Sequence, residues 1–363
     1  MPRTLLVTND FPPTVGGIQS YLRDFLLTLD PAETVVFAST QDEAAAAAHD
    51  AELPYRVIRW PRRVMLPTPT TADAMSRIIR ELDIDTVWFG AAAPLALMGA
   101  AARRAGARRI IASTHGHEVG WSMVPGARQV LRRIGESADV VTYISDYTLR
   151  RFRRSFGPHP QFRHLPSGVD VDWFRPAARP DDQPPTVICV SRLVPRKGQD
   201  MLIRAWPRVL TRHPSARLEI VGSGSHEKAL RRMAEPLGDA VVFTGPLPTE
   251  DLRDRLAAAD VFAMPARTRG GGLDVEGLGI VYLEAQACGV PVIAGDSGGA
   301  PETVTPGTGI VVDGRDDDEL AAALLRLLDD PRLAAGMGEA GRRYAVEEWS
   351  WDIMGARLRD ILR

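Results

Sequence analysis

Cysteine and long apolar runs are both scarce in this chain of 363 residues. The two cysteines, Cys189 and Cys288, lie inside apolar runs, which fits reduced buried thiols in a cytosolic protein better than a disulfide framework. The longest apolar run, residues 87–102, contains Pro94 and is shorter than the roughly 18 residues that a membrane-spanning helix needs. No signal peptide is recognisable before the first predicted strand. We therefore expect a cytoplasmic protein that does not cross a membrane but can still bind to its surface.

Lysine is almost absent, and the net charge is close to zero. The sequence has 44 basic and 46 acidic residues, a net charge of −2, which gives no global attraction to nucleic acid. Any attraction to an anionic partner must therefore be local. Only Lys197 and Lys228 are lysines, so arginine supplies the other basic residues. Lys197 is of interest because an ammonium provides a compact point charge where a guanidinium provides a fork.

Strands and helices alternate along both halves of the chain. The first half opens with a strand, a loop that contains Gly16 and Gly17, and a helix over residues 18–29. The predicted strands are 4–8, 34–38, 55–59, 86–89, 109–113 and 139–144 in the first half, and 186–190, 217–221, 240–243, 261–264 and 291–294 in the second. Together with the length, this pattern predicts an α/β protein with two doubly wound, Rossmann-like domains.

A stretch rich in proline, residues 174–185, separates the two halves and is the predicted linker. The first domain is predicted to comprise residues 1–172 and the second residues 173–349. A final helix at about 350–363 is long enough to pack back on the first domain.

The segment from Asp274 to Gly295 predicts an anion site. Gly277 and Gly279 leave a loop without bulk before a helix over residues 280–288. Unpaired amides and a positive dipole end at such a helix start suit a phosphate. Glu276 lies just before the helix and Glu284 about one turn inside it, so their carboxylates should reach different parts of one ligand. A capped helix followed by a buried strand also explains this segment.

Two other loops follow predicted strands and carry candidate catalytic side chains. Arg192 and Lys197 lie on one loop, and two converging cations suit a diphosphate if this loop neighbours the helix that starts at Ile280. His115 follows the strand 109–113, where an active-site histidine belongs in such a fold. His115 and His117 could instead be metal ligands, although no third ligand is well spaced, and a structural loop histidine is the other alternative.

Basic residues cluster in two places in the first half. Arg62 and Arg63 precede an apolar triplet, and residues 128–154 hold seven arginines with a local net charge of +4. Each cluster could be an ordinary solvated face. That is the more frequent explanation of such clusters. The alternative is a docking surface for anionic lipid, where a basic residue near the surface contributes ~1 kcal/mol.

An ordered set of motifs resembles the retaining glycosyltransferases of the GT-B group called family 4. The motifs are Phe11-Pro-Pro with Gly16-Gly17, the His115 loop, Ser167-Gly-Val-Asp170, Arg192 to Lys197, Glu276 to Glu284, and Gly298-Gly-Ala-Pro-Glu302. Within that family, residues 9–22 and 274–283 are most similar to actinobacterial phosphatidylinositol-mannoside mannosyltransferases that depend on GDP-mannose. One departure is Ser167, where the family commonly has asparagine in its hinge motif.

The resemblance implies a GT-B fold whose domains face each other across a cleft, and sugar transfer without a required metal. Arg192 and Lys197 would neutralise the leaving diphosphate, Glu276 would hold hydroxyls of the donor sugar, and Glu284 the ribose. Gly279 would open the loop to the donor, the amides of Ile280 and Val281 would contact phosphate, and His115 would contact the donor sugar. Gly16 and Gly17 would approach the diphosphate and the acceptor.

The implied partners are GDP-mannose, an anionic phosphatidylinositol mannoside acceptor and the inner membrane surface, with no nucleic acid. Gln19, Arg62 and Arg63 are the candidate contacts to acceptor or membrane, and the protein is expected to be peripheral at the cytoplasmic membrane. Three alternatives stay open: a transferase that uses UDP-glucose and a soluble acceptor, a non-hydrolysing nucleotide-sugar epimerase, and a non-enzymatic sensor of nucleotide sugars. Gly295-Asp-Ser-Gly-Gly299 also spells a serine-protease motif, but in an α/β pattern unlike those all-β enzymes.

Overall fold

The computed structural model describes residues 3–178 and 182–363, which form two α/β units. Unit 1 comprises Met1–Ser167 together with Trp351–Arg363, and unit 2 comprises Gly168–Ser350. Of the predicted linker, residues 179–181 lie outside the described residues. The chain enters unit 2 after Ser167 and leaves it after Ser350. Val169, near the entry, pairs with Ser350 in a parallel bridge.

Unit 1 contains a parallel sheet of seven strands in the order β3-β2-β1-β4-β5-β6-β7. Its strands are β1 (Thr4–Thr8), β2 (Thr34–Ser39), β3 (Arg56–Trp60), β4 (Thr86–Phe89), β5 (Arg109–Ser113), β6 (Val140–Tyr143) and β7 (Gln161–His164). Its first helices are α1 (Gly17–Leu26), α2 (Glu43–Asp50), α3 (Pro69–Glu81), α4 (Gly99–Ala105), α5 (Glu118–Met123), α6 (Pro125–Ser137) and α7 (Asp146–Phe156). The central strands β1, β2 and β4 are buried along their whole length, as expected of a covered parallel sheet.

Unit 2 contains a parallel sheet of six strands in the order β10-β9-β8-β11-β12-β13. Its strands are β8 (Thr186–Val190), β9 (Arg217–Val221), β10 (Val241–Gly245), β11 (Val261–Met264), β12 (Val292–Gly295) and β13 (Gly309–Val312). Its helices are α8 (Gln199–Arg212), α9 (Glu227–Ala234), α10 (Thr249–Ala258), α11 (Ile280–Ala287), α12 (Asp317–Asp329) and α13 (Pro331–Trp349). The predicted fold class, α/β with two Rossmann-like domains, is thus confirmed.

The order of strands reverses once in each sheet. In unit 1 the reversal lies at β1, between β2 and β4, and in unit 2 it lies at β8, between β9 and β11. Ligands of doubly wound sheets bind at the carboxyl ends of strands beside this switch point. The loops after β1 and β8, residues 9–16 and 191–198, are therefore placed to contact ligands.

The final helix, α14 (Trp351–Leu362), belongs to unit 1 as predicted. The Trp351 ring packs edge-on against Phe25 of α1, with ring centroids 5.0 Å apart. At its carboxyl end, Thr86 Oγ1 donates to the Leu362 carbonyl at 3.1 Å and Arg109 Nε to the Ile361 carbonyl at 2.7 Å. These bonds satisfy carbonyls that a helix end leaves without partners.

Two strands, β7 and β13, were not predicted from the sequence. Both are short strands at the edge of their sheets, β7 beside β6 and β13 beside β12. In β7, polar Gln161 and Arg163 are exposed, and β13 starts at a glycine. β7 has a single apolar residue, Phe162, and the apolar run of β13 is limited to residues 310–312. The helix after Gly16-Gly17 also ends at Leu26, three residues before the predicted end.

Candidate active site

The two catalytic candidates with opposite charge, Lys197 and Glu276, are in direct contact in unit 2. Lys197 Nζ lies 2.5 Å from Glu276 Oε2, and both side chains are about nine-tenths buried, with 10% and 9% exposed. Lys197 ends a short 3-10 turn, Pro195–Lys197, in the loop after β8. Glu276 precedes α11, so the loop after β8 and the predicted anion segment are neighbours, as the diphosphate hypothesis required.

Arg196, which the sequence analysis did not single out, also binds Glu276. Its Nη1 donates to the same Oε2 at 2.8 Å, and its Nε lies 3.1 Å from Asp274 Oδ1. Burial opposes a charge on Glu276, but the Lys197 and Arg196 cations outweigh burial and lower the pKa of this carboxyl. Glu276 is therefore ionised at neutral pH.

The backbone of Glu276 is fixed by the loop after β12. Its N–H donates to Ser297 Oγ at 3.2 Å, and its carbonyl accepts from the Gly299 N–H at 2.9 Å. Gly298 has a left-handed φ of 60°, and a β-carbon there would lie 1.9 Å from the Glu276 carbonyl oxygen. The buried Ser297 of the protease-like motif is thus a support for Glu276.

The start of α11 presents backbone amides without a competing side chain. Gly279 is the N-cap in the left-handed conformation, with φ 87°, and makes no side-chain capping bond. The first amides of α11, at Ile280 and Val281, have no intrahelical acceptor. A β-carbon at Gly279 would lie 2.5 Å from the Tyr282 ring, so this cap requires glycine.

Among the described residues, the side chains of Glu284 and Arg192 in unit 2 have no polar partner. The Glu284 carboxylate makes no hydrogen bond or ion pair within residues 3–178 and 182–363, and burial raises its pKa to about 7. The Arg192 side chain is exposed and likewise has no polar contact in that part of the chain. Both groups are available to a ligand, in contrast to Lys197 and Glu276.

In unit 1, His115 is held as a neutral imidazole at the end of β5. Its Nε2 lies 2.7 Å from the Gly90 carbonyl oxygen, and a carbonyl can only accept, so Nε2 carries the proton and Nδ1 is left as an acceptor. The Tyr21 ring packs edge-on at 4.9 Å. Burial lowers the pKa of His115 to about 4, so the imidazole remains neutral at physiological pH.

The glycine loop after β1 is anchored by Asn9, the only asparagine of the chain. Asn9 Nδ2 donates to the Met65 carbonyl at 3.0 Å, and Asn9 Oδ1 accepts from the Met65 N–H at 2.6 Å. Gln19, in the first turns of α1, donates to Asp10 Oδ1 at 3.3 Å. Gly17 has open space around it, whereas a β-carbon at Gly16 would meet only the flexible Gln19 side chain.

Arg59 of β3 also binds the glycine loop after β1. Its Nη2 donates to the Pro12 carbonyl at 2.7 Å, and its guanidinium lies 5.2 Å from the centre of the Phe11 ring. Asp50 holds Arg59 through both carboxylate oxygens, at 2.7 and 2.8 Å. Neither Arg59 nor Asn9 was identified from the sequence, although the rarity of asparagine in this chain was a usable signal.

The segment that Asn9 holds displays basic and apolar side chains to solvent. Met65 is fully buried, while Arg62, Arg63, Val64 and Leu66 are exposed. We call residues 62–66 the basic-apolar segment. In the second basic cluster, Arg132 pairs with Glu136 and Arg151 lies over the Tyr147 ring, next to exposed Met123 and Val124.

The part of the chain that the structure describes contains neither a cluster of metal-ligating side chains nor a membrane-spanning helix. No three side chains of the metal-ligating types His, Cys, Asp and Glu converge there. No helix there is both long enough and apolar enough to cross a bilayer.

Comparison with known protein families matches both units. Residues 15–173 match the family described as Glycosyltransferase Family 4, and residues 170–344 match Glycosyl transferases group 1. Among solved structures, sucrose-phosphate synthase from Thermosynechococcus elongatus is similar with a TM-score of 0.78 and 24% identity, over 99% of this chain and 98% of that one. A protein from Anabaena, HepE in complex with UDP, has a TM-score of 0.79 and 20% identity, over 99% of both chains. These two show the fold alone.

Curated relatives match over nearly their whole length. A GDP-mannose-dependent monoacylated alpha-(1-6)-phosphatidylinositol monomannoside mannosyltransferase of Corynebacterium glutamicum is 64% identical, over 99% of this chain and 98% of the relative. GDP-mannose-dependent alpha-(1-6)-phosphatidylinositol monomannoside mannosyltransferases of Mycolicibacterium smegmatis and Mycobacterium tuberculosis are 58% and 55% identical, over 99% and 100% of this chain and 97% and 98% of the relatives. The chain therefore belongs to the family of glycosyltransferases that contains these mannosyltransferases.

Proposed function

We propose that this protein transfers mannose from GDP-mannose to a phosphatidylinositol monomannoside, with retention of configuration at the anomeric carbon. The observation that carries this proposal is the identity of 55–64% over nearly the full length with three relatives that bear such names. The contact between Lys197 and Glu276 is consistent with it, because it brings the loop that we propose to bind diphosphate next to the carboxylate that we propose to bind the sugar.

In the proposed reaction, the bond between the anomeric carbon and the diphosphate oxygen breaks, and a bond to an acceptor hydroxyl forms on the same face. The acceptor proton passes to the leaving phosphate, so no separate general base is needed. Negative charge gathers on the diphosphate in the transition state, where preorganised cations lower the barrier. Arg192 and Lys197 supply these cations, and the amides of Ile280 and Val281 bind phosphate beyond Gly279.

The hydroxyl groups of the donor are assigned to three side chains. Glu276 accepts hydrogen bonds from the mannose and Glu284 from the ribose, and the free Nδ1 of neutral His115 accepts one from the sugar. Gly16 and Gly17 allow the loop after β1 to approach the diphosphate and the acceptor. Because side chains and amides carry the leaving-group charge, we propose that no metal is required, which activity in excess EDTA would test.

We also propose that unit 1 binds the inner membrane surface and the anionic lipid acceptor. The supporting observation is the basic-apolar segment, where two arginines and two apolar side chains are exposed on a backbone that Asn9 holds. Val15, in the adjoining glycine loop, is 97% exposed. Apolar side chains next to cations suit an interface with anionic lipid. Gln19, Arg62 and Arg63 are the proposed contacts, and the localisation is peripheral.

The test is incubation with radiolabelled GDP-mannose or UDP-glucose and either a phosphatidylinositol monomannoside in vesicles or a soluble sugar acceptor. We expect labelled mannolipid and equimolar GDP only with GDP-mannose and the lipid. Transfer from UDP-glucose to the soluble acceptor, or epimerised nucleotide sugar without a glycosylated product, would replace this function. Flotation with anionic but not neutral vesicles would support membrane binding, and equal recovery with both would contradict the charge-based surface.

A further inference from the structure

Arg196 connects the two carboxylates of a cluster of four charged side chains in unit 2, of which Arg196, Lys197 and Glu276 are largely buried and Asp274 is half exposed. Its Nη1 binds Glu276 at 2.8 Å and its Nε binds Asp274 at 3.1 Å, with only 14% of the arginine side chain exposed. Lys197 binds the same Glu276 oxygen from the other side at 2.5 Å. Two cations and two carboxylates balance formally, so the cluster is neutral before any ligand binds.

The proposed roles of Lys197 and Glu276 conflict with their mutual contact. Lys197 has to turn its charge towards the diphosphate, whereas Glu276 has to remain an ionised acceptor for sugar hydroxyls. An ammonium has three donors but a single charge, so a bound diphosphate takes away part of the neutralisation that Glu276 receives. A buried carboxylate that loses its cation is costly and tends to protonate.

We propose that Arg196 is a positioning residue for the sugar subsite, which holds the Glu276 carboxylate in place while Lys197 engages the donor diphosphate. This inference rests on the proposed function, because it takes from it the roles of Glu276 and Lys197. Arg196 acts through Glu276 and does not itself contact the donor.

The geometry explains why a guanidinium is suited to this position. Its Nε and Nη1 are fixed in one plane, so binding Asp274 with one edge orients the other edge towards Glu276. The backbone of Arg196 is also held, since its carbonyl accepts from the Arg267 N–H at 2.8 Å. Ser297 and Gly299 already fix the backbone of Glu276, so Arg196 and Lys197 determine where its carboxylate lies.

Arg192 lies in the same loop as Arg196, and its cation remains available to a diphosphate. Its side chain is exposed and without a polar partner in the described residues, whereas two nitrogens of Arg196 are already bound to carboxylates. We therefore expect loss of Arg196 to weaken binding of the sugar part of the donor, and loss of Arg192 to weaken binding of the diphosphate.

The experiment measures dissociation constants of GDP and GDP-mannose by calorimetry for the wild type, Arg196→Met, Arg196→Lys and Glu276→Gln. For Arg196→Met, we expect GDP-mannose to bind about tenfold to a hundredfold more weakly and GDP less than about threefold more weakly, as for loss of one hydrogen bond to a charged group. Arg196→Lys should recover part of the loss. In the Glu276→Gln background, Arg196→Met should add no further loss of sugar binding.

Arg208→Met is the matched control, because Arg208 also binds two carboxylates, Asp317 and Asp318, but on an exposed part of α8. It should change neither affinity. Equal weakening of GDP and GDP-mannose by Arg196→Met would show direct binding to the diphosphate or loss of the fold, and would overturn the inference, as would unchanged affinities. The dissociation constants of UDP and UDP-glucose are measured for the same variants. A wild type that binds UDP-glucose and UDP more tightly than GDP-mannose and GDP refutes the proposed donor. The effect of Arg196→Met on sugar binding can still be measured with that pair.

Discussion

The loops after the central strands of the two sheets occupy equivalent places in the fold but are held by different chemistry. In unit 1 the loop after β1 is fixed by hydrogen bonds, from Asn9 to the Met65 backbone and from the Arg59 guanidinium to the Pro12 carbonyl. In unit 2 the loop after β8 is fixed by ions, since Lys197 and Arg196 both bind Glu276. The cations of unit 2 are preorganised for the charge that develops in the proposed reaction. In unit 1 the largely buried pair of Arg59 and Asp50 holds the loop, and the arginines of the basic-apolar segment are exposed.

The same contrast applies to the ionisation of the candidate site residues. In unit 1, burial lowers the pKa of His115 to about 4 and the Gly90 carbonyl fixes its tautomer, so it is a neutral hydrogen-bonding group. In unit 2, neighbouring cations lower the pKa of Glu276 despite burial. We infer that unit 2 stabilises charge and unit 1 orients neutral groups and lipid, a division that the following predictions test.

The largest effect is expected for Lys197→Ala in unit 2. Removal of one preorganised cation at the leaving group should lower kcat by about a hundredfold to a thousandfold. The fold should survive, because Arg196 still neutralises Glu276. Release of GDP measures turnover, and thermal unfolding monitors the fold.

Lys228→Ala is the matched control for this variant, because Lys228 is the only other lysine and lies exposed on α9. It should retain full turnover. A Lys197→Ala protein with wild-type turnover would mean that the charge of unit 2 does not act on the leaving group.

A smaller effect is expected for Gly298→Ala, which disturbs the loop that packs against the Glu276 backbone and changes no charge. The added β-carbon would lie 1.9 Å from the Glu276 carbonyl oxygen, at a residue with a φ of 60°. We expect a loss of about 2–3 kcal/mol in the free energy of unfolding and a melting temperature lower by roughly 4–12 °C. Gly307→Ala is the control, because a β-carbon there would have nothing within 4 Å and φ is not in the left-handed region. It should leave the free energy of unfolding unchanged.

In both units, features with a local sequence pattern were predictable, and contacts between residues far apart in the chain were not. Apolar runs predicted the inner strands, and the scarcity of lysine drew attention to Lys197, which the structure places against Glu276. Of the two strands that were missed, β7 has no such run, and that of β13 is limited to residues 310–312. Arg196 was missed because its partner Glu276 lies 80 residues away, and one arginine among so many carries no local signal. Asn9 was missed because its bonds go to the backbone of Met65, 56 residues away.

Asn9→Ala in unit 1 should affect the acceptor but leave the donor unchanged. Loss of both bonds to Met65 frees the basic-apolar segment, and we expect the KM for the lipid acceptor to rise about tenfold, equivalent to ~1.4 kcal/mol. The dissociation constant of GDP should stay within a factor of about two. Gln161→Ala, at an exposed amide on β7, serves as the control. A weaker affinity for GDP with an unchanged KM for the lipid would contradict the division between the units.

The smallest expected effect is a proton released from Glu284 when GDP-mannose binds. This donor is used because its diphosphate is esterified at both ends and does not titrate near pH 6, whereas the terminal phosphate of GDP has a second pKa of about 6. Burial raises the pKa of this carboxyl to about 7, above its ordinary 4.5, so it stabilises the unliganded fold at low pH and this contribution is lost as pH rises through 7. Ribose hydroxyls that donate to the carboxylate favour its ionised form and lower that pKa. Calorimetry in buffers of different ionisation enthalpy should therefore show release of up to about one proton near pH 6 and almost none near pH 8. Glu284→Gln should abolish the release. Proton uptake near pH 6, or a release that persists in this variant, would mean that the ribose does not bind Glu284 and that its protonation belongs to the packing of α11.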